Sequence, residues 1–168
     1  YISGEDLDQV RKSPQLEGFA AKGIEVLLLT DAVDDFWVPS IGVFKEKLFK
    51  SATRAGADLD KVETTEKQDK EDEAEASFNE SKVDALIAMF KLTLQEEVKD
   101  VRISERLTDS AVCLVSDEGD MDLRIERMLK QHNKLDETLK RILEINPKHP
   151  LVNSLAESVG KDGAGDKV

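Results

Sequence analysis

A chain of 168 residues can form one domain or two small ones, and at this size about 70% of the unfolded chain's surface can be buried. Its 36 acidic and 24 basic residues give a net charge of −12, which repels a phosphate backbone, so we expect no nucleic-acid partner. The most apolar stretch, residues 24–29, is far shorter than the roughly 20 residues that cross a membrane, so we expect a soluble chain without a membrane partner. The single cysteine, Cys113, cannot form an internal disulfide and fits a reducing compartment.

The N-terminal part of the chain alternates helix and strand signals as an α/β unit does. It begins with Tyr1 in a stretch, "YISG", that resembles the end of a strand, so we expect a piece of a longer protein. Ser3 and Asp6 have the spacing of a capping box before a first helix. Ser13 followed by Pro14 indicates the start of a second helix.

A strand and a third helix follow. Gly23 predicts the end of the second helix, and "IEVLLLT" (24–30) predicts a strand that is covered on both faces, because its apolar residues do not alternate with polar ones. Asp31 is placed to cap the next helix, with Asp34 in its first turn. Residues 43–53 form either a pair of short strands or an extended exit.

The composition changes between Asp58 and Glu80, where ten acids and three lysines occur with few large apolar residues. Such a segment is typical of a solvated helix or a linker, because it has little apolar surface to offset the entropy of ordering. We therefore predict a domain boundary near residues 54–60. We also predict that residues 55–80 are more mobile than the segments on either side.

The second part of the chain again mixes helix and strand patterns, which makes the whole an α+β protein. The segment "LKRILEI" (139–145) suits either a helix or a strand, and we take it as a strand from about Arg141. A glycine-rich tail ends the chain. In chain order we expect an amphipathic helix over 81–98, strands over 98–103 and 111–115, a helix over 121–131, the strand from Arg141, and a last helix over 151–159.

The residues that usually carry catalysis are sparse. Cys113 lies inside an apolar run, where a buried, unreactive thiol is the ordinary case, and His132 and His149 lie beside a helix end and a turn. Two histidines and one cysteine, widely separated, do not match the ligand spacings of known metal sites. We expect no catalytic residues and no metal ligands.

Three acids, Asp31, Asp34 and Asp35, follow the predicted strand at 24–30. The carboxyl end of a strand is where α/β enzymes often place catalytic acids, so a small enzyme is one function to consider. Helix capping and compensation of the helix dipole explain the same residues without any chemistry.

Apolar side chains in unusual positions are the more informative feature. Phe36, Trp37 and Val38 are consecutive on a short helix, and two adjacent aromatic side chains cannot both point into one core. One of the two therefore reaches another surface.

A second apolar group recurs every three or four residues in "MDLRIERMLKQ" (121–131). A helix aligns Met121, Ile125, Met128 and Leu129 into one stripe. The stripe is either an ordinary core-facing side, which periodicity alone favours, or a binding face, for which adaptable methionines are suited.

Three blocks of the sequence closely resemble the ninety-kilodalton heat-shock protein chaperones in their bacterial form. They occur in that family's order and spacing, and the likeness is weakest in residues 58–80 and in the tail. Ala32 and Ala111 stand where the family usually has proline. The blocks are "SPQLEGFAAKGIEVLLLTDAVDDFWV" (13–38), "VKDVRISERLTDSAVCLVSDEGDM" (98–121) and "INPKHPLV" (145–152).

The resemblance implies a place for the chain within a chaperone of three domains. Residues 1–54 would be the C-terminal end of the α/β middle domain. Residues 55–168 would be an α+β C-terminal domain without its final dimerisation helices, so the fragment would be a monomer or weakly associated. ATP and Mg²⁺ would bind in an absent N-terminal domain, so we expect no enzyme and no cofactor in this chain.

The resemblance also implies a function. The full-length protein would be a cytoplasmic homodimer that holds unfolded or partly folded client proteins in an ATP-dependent clamp. Client contacts would come from Met121, Ile125, Met128 and Leu129, and from a second patch at Phe36, Trp37 and Val38. The alternative from another class is an acidic scaffold that binds one specific folded partner through the same stripe.

Overall fold

The computed structural model describes most of the chain. It describes residues 1–54, 59, 73–121, 123–132 and 139–161; residues 73–80, 123, 124, 127, 131, 160 and 161 are described by their backbone alone. The predicted mobile segment, 55–80, lies largely outside these residues, as do most of the predicted boundary near 54–60 and most of the glycine-rich tail. The domain assignment stays a prediction.

The first part of the chain contains three short α-helices and four very short strands. Strands β1 and β2 pair in parallel, and β3 and β4 form an antiparallel hairpin. A small core joins them, with Ile2, Val10 and Ala52 buried at its centre. In chain order the elements are β1 (Ile2–Ser3), α1 (Leu7–Arg11), a 3-10 turn (Pro14–Leu16), α2 (Glu17–Ala21), β2 (Leu28–Leu29), α3 (Asp34–Ile41), β3 (Val43–Phe44) and β4 (Lys47–Leu48).

The end of α2 agrees with prediction, but the capping box predicted from Ser3 and Asp6 does not form, and Pro14 starts a 3-10 turn before α2. Asp6 is the N-cap of α1, and its carboxylate accepts a hydrogen bond from the Gln9 backbone N–H at 2.9 Å; Ser3 lies in β1 instead. Gly23 follows α2 with a φ of 65°, a left-handed conformation that glycine adopts without a Cβ clash.

The strand predicted over 24–30 is shorter and more exposed than expected. Only Leu28–Leu29 pairs, with Ile2–Ser3, and Leu27 is 56% exposed. Cover on both faces is therefore wrong for these residues. The prediction failed because an apolar sequence shows only that a strand could be buried. Whether it is buried depends on the elements that pack against it in the fold.

Helix α3 starts at Asp34, so Asp34 lies in its first turn as predicted, but Asp31 does not have the predicted capping role. The Asp34 carboxylate accepts a hydrogen bond from the Asp31 backbone N–H at 3.1 Å, so Asp31 does not cap the helix with its side chain. The stretch after α3 is the pair of short strands, and its turn residues Lys45 and Glu46 have φ values of 48° and 65°.

The second part of the chain is a three-stranded sheet with helices. Strand β7 lies in the middle, parallel to β5 and antiparallel to β6. The strands at 98–103 and 112–115, the strand that starts at Arg141, and the last helix agree with prediction. The elements are α4 (Glu73–Thr93), β5 (Val98–Ile103), β6 (Val112–Val115), α5 (Leu123–Gln131), β7 (Arg141–Ile145) and α6 (Pro150–Lys161).

The larger core lies between one face of this sheet and two helices. Val83 and Leu86 of α4 pack with Val101, Ile145 and the buried side of α6. On the opposite face, a second buried cluster includes Cys113, Val115 and Ile142. Strand β7 is buried on both faces, and it carries two charged residues, Arg141 and Glu144, beside its three apolar ones.

Helix α4 is longer than the pattern indicated. It includes residues 73–80, which belong to the acidic segment interpreted as a solvated helix or a linker. The backbone there continues the amphipathic helix that the apolar residues from Val83 onwards predict.

Polar contacts join the two parts of the chain. The Arg106 guanidinium donates to the backbone oxygens of Ala52, at 2.6 Å, and Arg54, at 2.8 Å. The Glu17 carboxylate accepts from three successive backbone N–H groups, those of residues 108–110, at 2.7, 2.9 and 3.1 Å. The two parts therefore meet through a specific, hydrogen-bonded contact.

Candidate functional site

Helix α5 carries the first candidate surface, and its inward contact is ionic. The carboxylate of Glu126 pairs with the guanidinium of Arg141, and both residues are only 5% exposed. Arg141 also donates to the Met121 backbone oxygen at 2.7 Å and to the Ser116 hydroxyl at 2.9 Å. Glu126 accepts a further hydrogen bond from the Leu139 backbone N–H at 3.1 Å. Among the described side chains of α5, the pair of Glu126 with Arg141 thus forms a charged anchor between the helix and the sheet.

Electrostatics at this anchor favour the ionised carboxylate. Burial raises the pKa of Glu126, but hydrogen bonds from Arg141, Lys130 and the Leu139 N–H outweigh it and hold the pKa below its ordinary value. Lys130 lies one turn along the helix, with its Nζ 3.0 Å from the carboxylate. Glu126 therefore remains charged at neutral pH.

The apolar stripe of α5 lies beside this anchor. Met121, Ile125, Met128 and Leu129 are all half-buried. Among the described residues, none of the four belongs to the three buried clusters or to the half-buried side chains packed against them. The stripe is therefore neither an interior seam nor a fully exposed face.

The second candidate patch, on α3, divides into three different environments. Phe36 is 58% exposed, whereas Val38 is completely buried. Trp37 is half-buried; its ring lies edge-on to Phe49 with the centroids 6.1 Å apart, and its indole N–H donates to Asp34 at 2.6 Å. One aromatic residue does reach outward, as the sequence predicted. Val38 can support the patch only from beneath it.

Of the three acids that suggested a small enzyme, Asp31 is exposed, and the other two lie in the first turn of α3. Asp34 accepts hydrogen bonds from the Asp31 N–H and from the Trp37 indole, and Asp35 is buried. These contacts lie at the N-terminal end of α3, where Asp34 and Asp35 are in the first turn, although no side chain caps the helix.

The residues considered for nucleophilic catalysis are also held in local contacts. Burial, with a further contribution from the Glu144 charge, raises the pKa of the Cys113 thiol to about 12, so it is not a thiolate at neutral pH. His132 Nδ1 lies 2.8 Å from the Met128 oxygen, and His149 Nδ1 accepts from the Leu151 N–H at 3.1 Å.

A buried charge cluster was not predicted from the sequence. Glu144, only 2% exposed, pairs with Arg102 at 2.6 Å and with Arg106 at 3.0 Å, and it accepts from the Ser104 hydroxyl at 2.9 Å. Alternation along "RILEI" could have placed Glu144 on the face opposite Leu143 and Ile145. Its partners, about forty positions away, leave no local signal.

The described residues form a mixed α+β fold with half-buried and exposed apolar surfaces. The chain belongs to the Hsp90 family, since the family model described as "Hsp90 protein" matches residues 1–168. This is a family of heat-shock chaperones that act in protein folding, as the sequence resemblance indicated.

Relatives in three bacteria support the assignment, and each carries the name "Chaperone protein HtpG". The chain is 54% identical over 162 residues to that of Paramagnetospirillum magneticum, covering 96% of this chain and 26% of the relative. It is 51% identical over 167 residues to that of Roseobacter denitrificans, covering 99% and 26%. It is 47% identical over 163 residues to that of Wolbachia pipientis, covering 97% and 25%. The chain thus spans about a quarter of the length of these relatives.

Two predictions are corrected by these comparisons. The expectations of no enzyme and no cofactor relied on placing the chain outside the family's ATP-binding region. The family match takes in every residue, and coverage of about 26% of each relative does not separate this chain from the region that uses ATP. The expectations that this chain is no enzyme and that it binds no cofactor are therefore not supported.

ATP with Mg²⁺ requires oxygen ligands for the metal and donors for the phosphates. Within the described ranges, no group of three or more His, Cys, Asp or Glu side chains is placed to hold a metal ion. Mg²⁺ that accompanies ATP takes most of its ligands from phosphates and water, with only one or two protein carboxylates, so the absence of such a group does not exclude nucleotide. No helix in the same ranges is long and apolar enough to cross a membrane.

Proposed function

We propose that this chain is the part of an Hsp90-type chaperone that contacts unfolded or partly folded client proteins. The proposal rests mainly on the stripe of Met121, Ile125, Met128 and Leu129. Its side chains stay half in water although they are large and apolar, and none of them joins a buried cluster. Unfolded clients expose apolar side chains of irregular shape, which flexible methionines accommodate.

The ion pair between Glu126 and Arg141 explains how the stripe is kept available. Because polar contacts attach α5 to the sheet, the helix does not have to bury its apolar residues in order to stay in place. Phe36 on α3 supplies a second outward apolar contact. In the whole protein, a cytoplasmic homodimer would bring two such sets of surfaces to one client, in a clamp driven by ATP.

The double variant Met128→Ser/Leu129→Ser tests the proposal. We expect the Kd for carboxymethylated lactalbumin, a permanently unfolded probe, to rise several-fold, because each lost apolar anchor contributes about 1 kcal/mol or more to binding. The free energy of unfolding in urea should fall by only about 1 kcal/mol for the pair, because half-buried side chains contribute less than the 2 to 5 kcal/mol of fully buried ones.

Leu151→Ser/Leu155→Ser is the matched control, since it removes two exposed leucines from α6. It should leave the Kd for the probe unchanged. A large fall in the urea midpoint of the Met128/Leu129 variant, with unchanged binding, would return the stripe to the core. Saturable binding of one folded partner, with no affinity for the probe, would favour the acidic-scaffold alternative.

A further inference from the structure

Six large apolar side chains are exposed within sixteen residues of the first part of the chain. None of the client contacts inferred from the sequence, except Phe36, is among them. We call this set the α3–hairpin surface: Val33 (61% exposed), Phe36 (58%), Ile41 (54%), Val43 (45%), Phe44 (60%) and Leu48 (69%).

The helical members of the α3–hairpin surface share one side of α3. Val33 and Phe36 are three residues apart, and Trp37 and Ile41 continue the same side at four-residue spacing. The buried residues Asp35 and Val38 lie on the opposite side. Helix α3 therefore turns one side to the core and an apolar side to water.

The hairpin members extend this side without a break in the chain. Val43 and Leu48 are cross-strand partners, so their side chains lie together on one face of the β3–β4 hairpin. The hairpin is fixed at its base, because the Phe49 N–H donates to the Gly42 oxygen at 2.9 Å and the Phe49 ring contacts Trp37. The apolar side chains therefore project from a held support.

Positive charge accompanies these side chains in a strongly acidic chain. Lys45 and Lys47 are exposed on the hairpin, and the Lys45 Nζ lies 5.4 Å from the centroid of the Phe44 ring. Charges farther away than about 8 Å are largely screened at physiological ionic strength, so the hairpin has a small local excess of positive charge, two lysines against the exposed Glu46 between them. An exposed apolar patch with a rim of local charge is typical of an interaction site.

We propose that the α3–hairpin surface docks apolar polypeptide segments that are flanked by acidic residues. The apolar residues of the segment would pack on Phe36, Val43 and Leu48, and its carboxylates would lie near Lys45 and Lys47. This inference rests on the proposed chaperone function and names the class of client segment that one surface prefers. A second copy of this chain is a poorer occupant, because pairing two copies of this surface would bring the Lys45 and Lys47 charges of both chains together.

The test compares two synthetic peptides that share a Leu-Phe-Val-Leu centre and differ only in their flanks, Asp-Asp in one and Lys-Lys in the other. The wild-type chain should bind the acidic peptide about five-fold more tightly, and about 0.5 M salt should remove the difference, as for contacts between exposed charges. Lys45→Glu/Lys47→Glu should reverse the preference. Phe44→Ser/Leu48→Ser should weaken the binding of both peptides.

Lys12→Glu/Lys148→Glu is the charge-matched control, because it changes the net charge equally at exposed sites away from the hairpin. It should leave the preference intact. Equal binding of the two peptides, an unchanged preference in Lys45→Glu/Lys47→Glu, or self-association that the same variant abolishes would overturn the proposal. If these variants still bind carboxymethylated lactalbumin, the client-binding function stands and only the assignment of this surface falls.

Discussion

At the scale of single residues, buried charges decide more of this structure than the sequence suggested. Arg141 and Glu126 are both 5% exposed, and Glu144 with Arg106 forms a second buried pair. A buried pair costs desolvation when it forms, but the loss of one partner is costlier because the other charge is then left uncompensated.

The variant Glu126→Gln tests how much the ion pair between Glu126 and Arg141 stabilises the fold. At neutral pH we expect the free energy of unfolding to fall by about 3 kcal/mol, since Arg141 loses its counter-charge in a buried site. The folded-state pKa of Glu126 is lowered, so its ionisation stabilises the fold above the ordinary value of 4.5 and stops doing so as the pH falls through the folded-state value. The difference in the free energy of unfolding between wild type and variant should therefore become smaller below pH 4.5.

Urea unfolding at about pH 7 and about pH 3 gives this comparison, because it follows one group through its protonation. Glu157→Gln, an exposed substitution on α6, is the control and should change stability little at either pH. A gap of the same size at both pH values would show that the Glu126 charge does not stabilise the fold.

At the scale of elements, the β3–β4 hairpin combines strand signals with an unfavourable turn. Its two-residue turn has positive φ at both Lys45 and Glu46, a conformation that favours Asn-Gly. Left-handed backbone costs an ordinary residue about 1 to 2 kcal/mol. The sequence left paired strands and an extended exit open here, because neither turn residue is one that this geometry selects.

Lys45→Asn/Glu46→Gly should relieve this strain. We expect the hairpin to gain about 1 kcal/mol against local opening, which corresponds to about five-fold slower hydrogen exchange. The Phe49 N–H, which donates to the Gly42 oxygen, is the reporter. Glu46→Ala, which leaves an ordinary residue in the left-handed region, should not slow the exchange. Unchanged exchange in the Asn-Gly variant would show that the turn is not strained.

At the scale of the whole molecule, the two parts of the chain are coupled through α2 and the loop after β5. Glu17 accepts the backbone N–H groups of residues 108–110, which fixes that loop against α2. Gly18 allows the close approach, because a Cβ there would lie 2.6 Å from the Arg106 Cα. The contact therefore requires glycine for space and not for its backbone conformation.

Gly18→Ala should push the two parts apart. We expect the free energy of unfolding to fall by about 1 to 3 kcal/mol, the range for overpacking a close contact, with faster hydrogen exchange at residues 108–110. Gly119→Ala is the control, since a Cβ at Gly119 would meet nothing within 4 Å. Equal stability of the two variants would contradict a tight contact between the parts.

The sequence by itself determined the elements whose signals are local. The helix end at Gly23, the strands around Val101 and Val115 and the amphipathic helix α5 all follow from residues that lie within about one or two turns of each other. The family resemblance, too, is carried by contiguous blocks. Nearest-neighbour chemistry is enough for such features, because each one satisfies its own hydrogen bonds or periodicity.

Only the tertiary structure decided which sides of those elements meet water. It placed Val38 in the core and its neighbour Phe36 in solvent, and it left Leu27 exposed in an apolar run. It also joined Glu144 to Arg102 and Glu17 to residues 108–110, across 42 and more than 90 positions. Such contacts depend on how elements that are far apart in the sequence pack against each other. The entropic cost of closing a loop rises only slowly with its length, so the separation of two residues in the sequence does not indicate whether they meet.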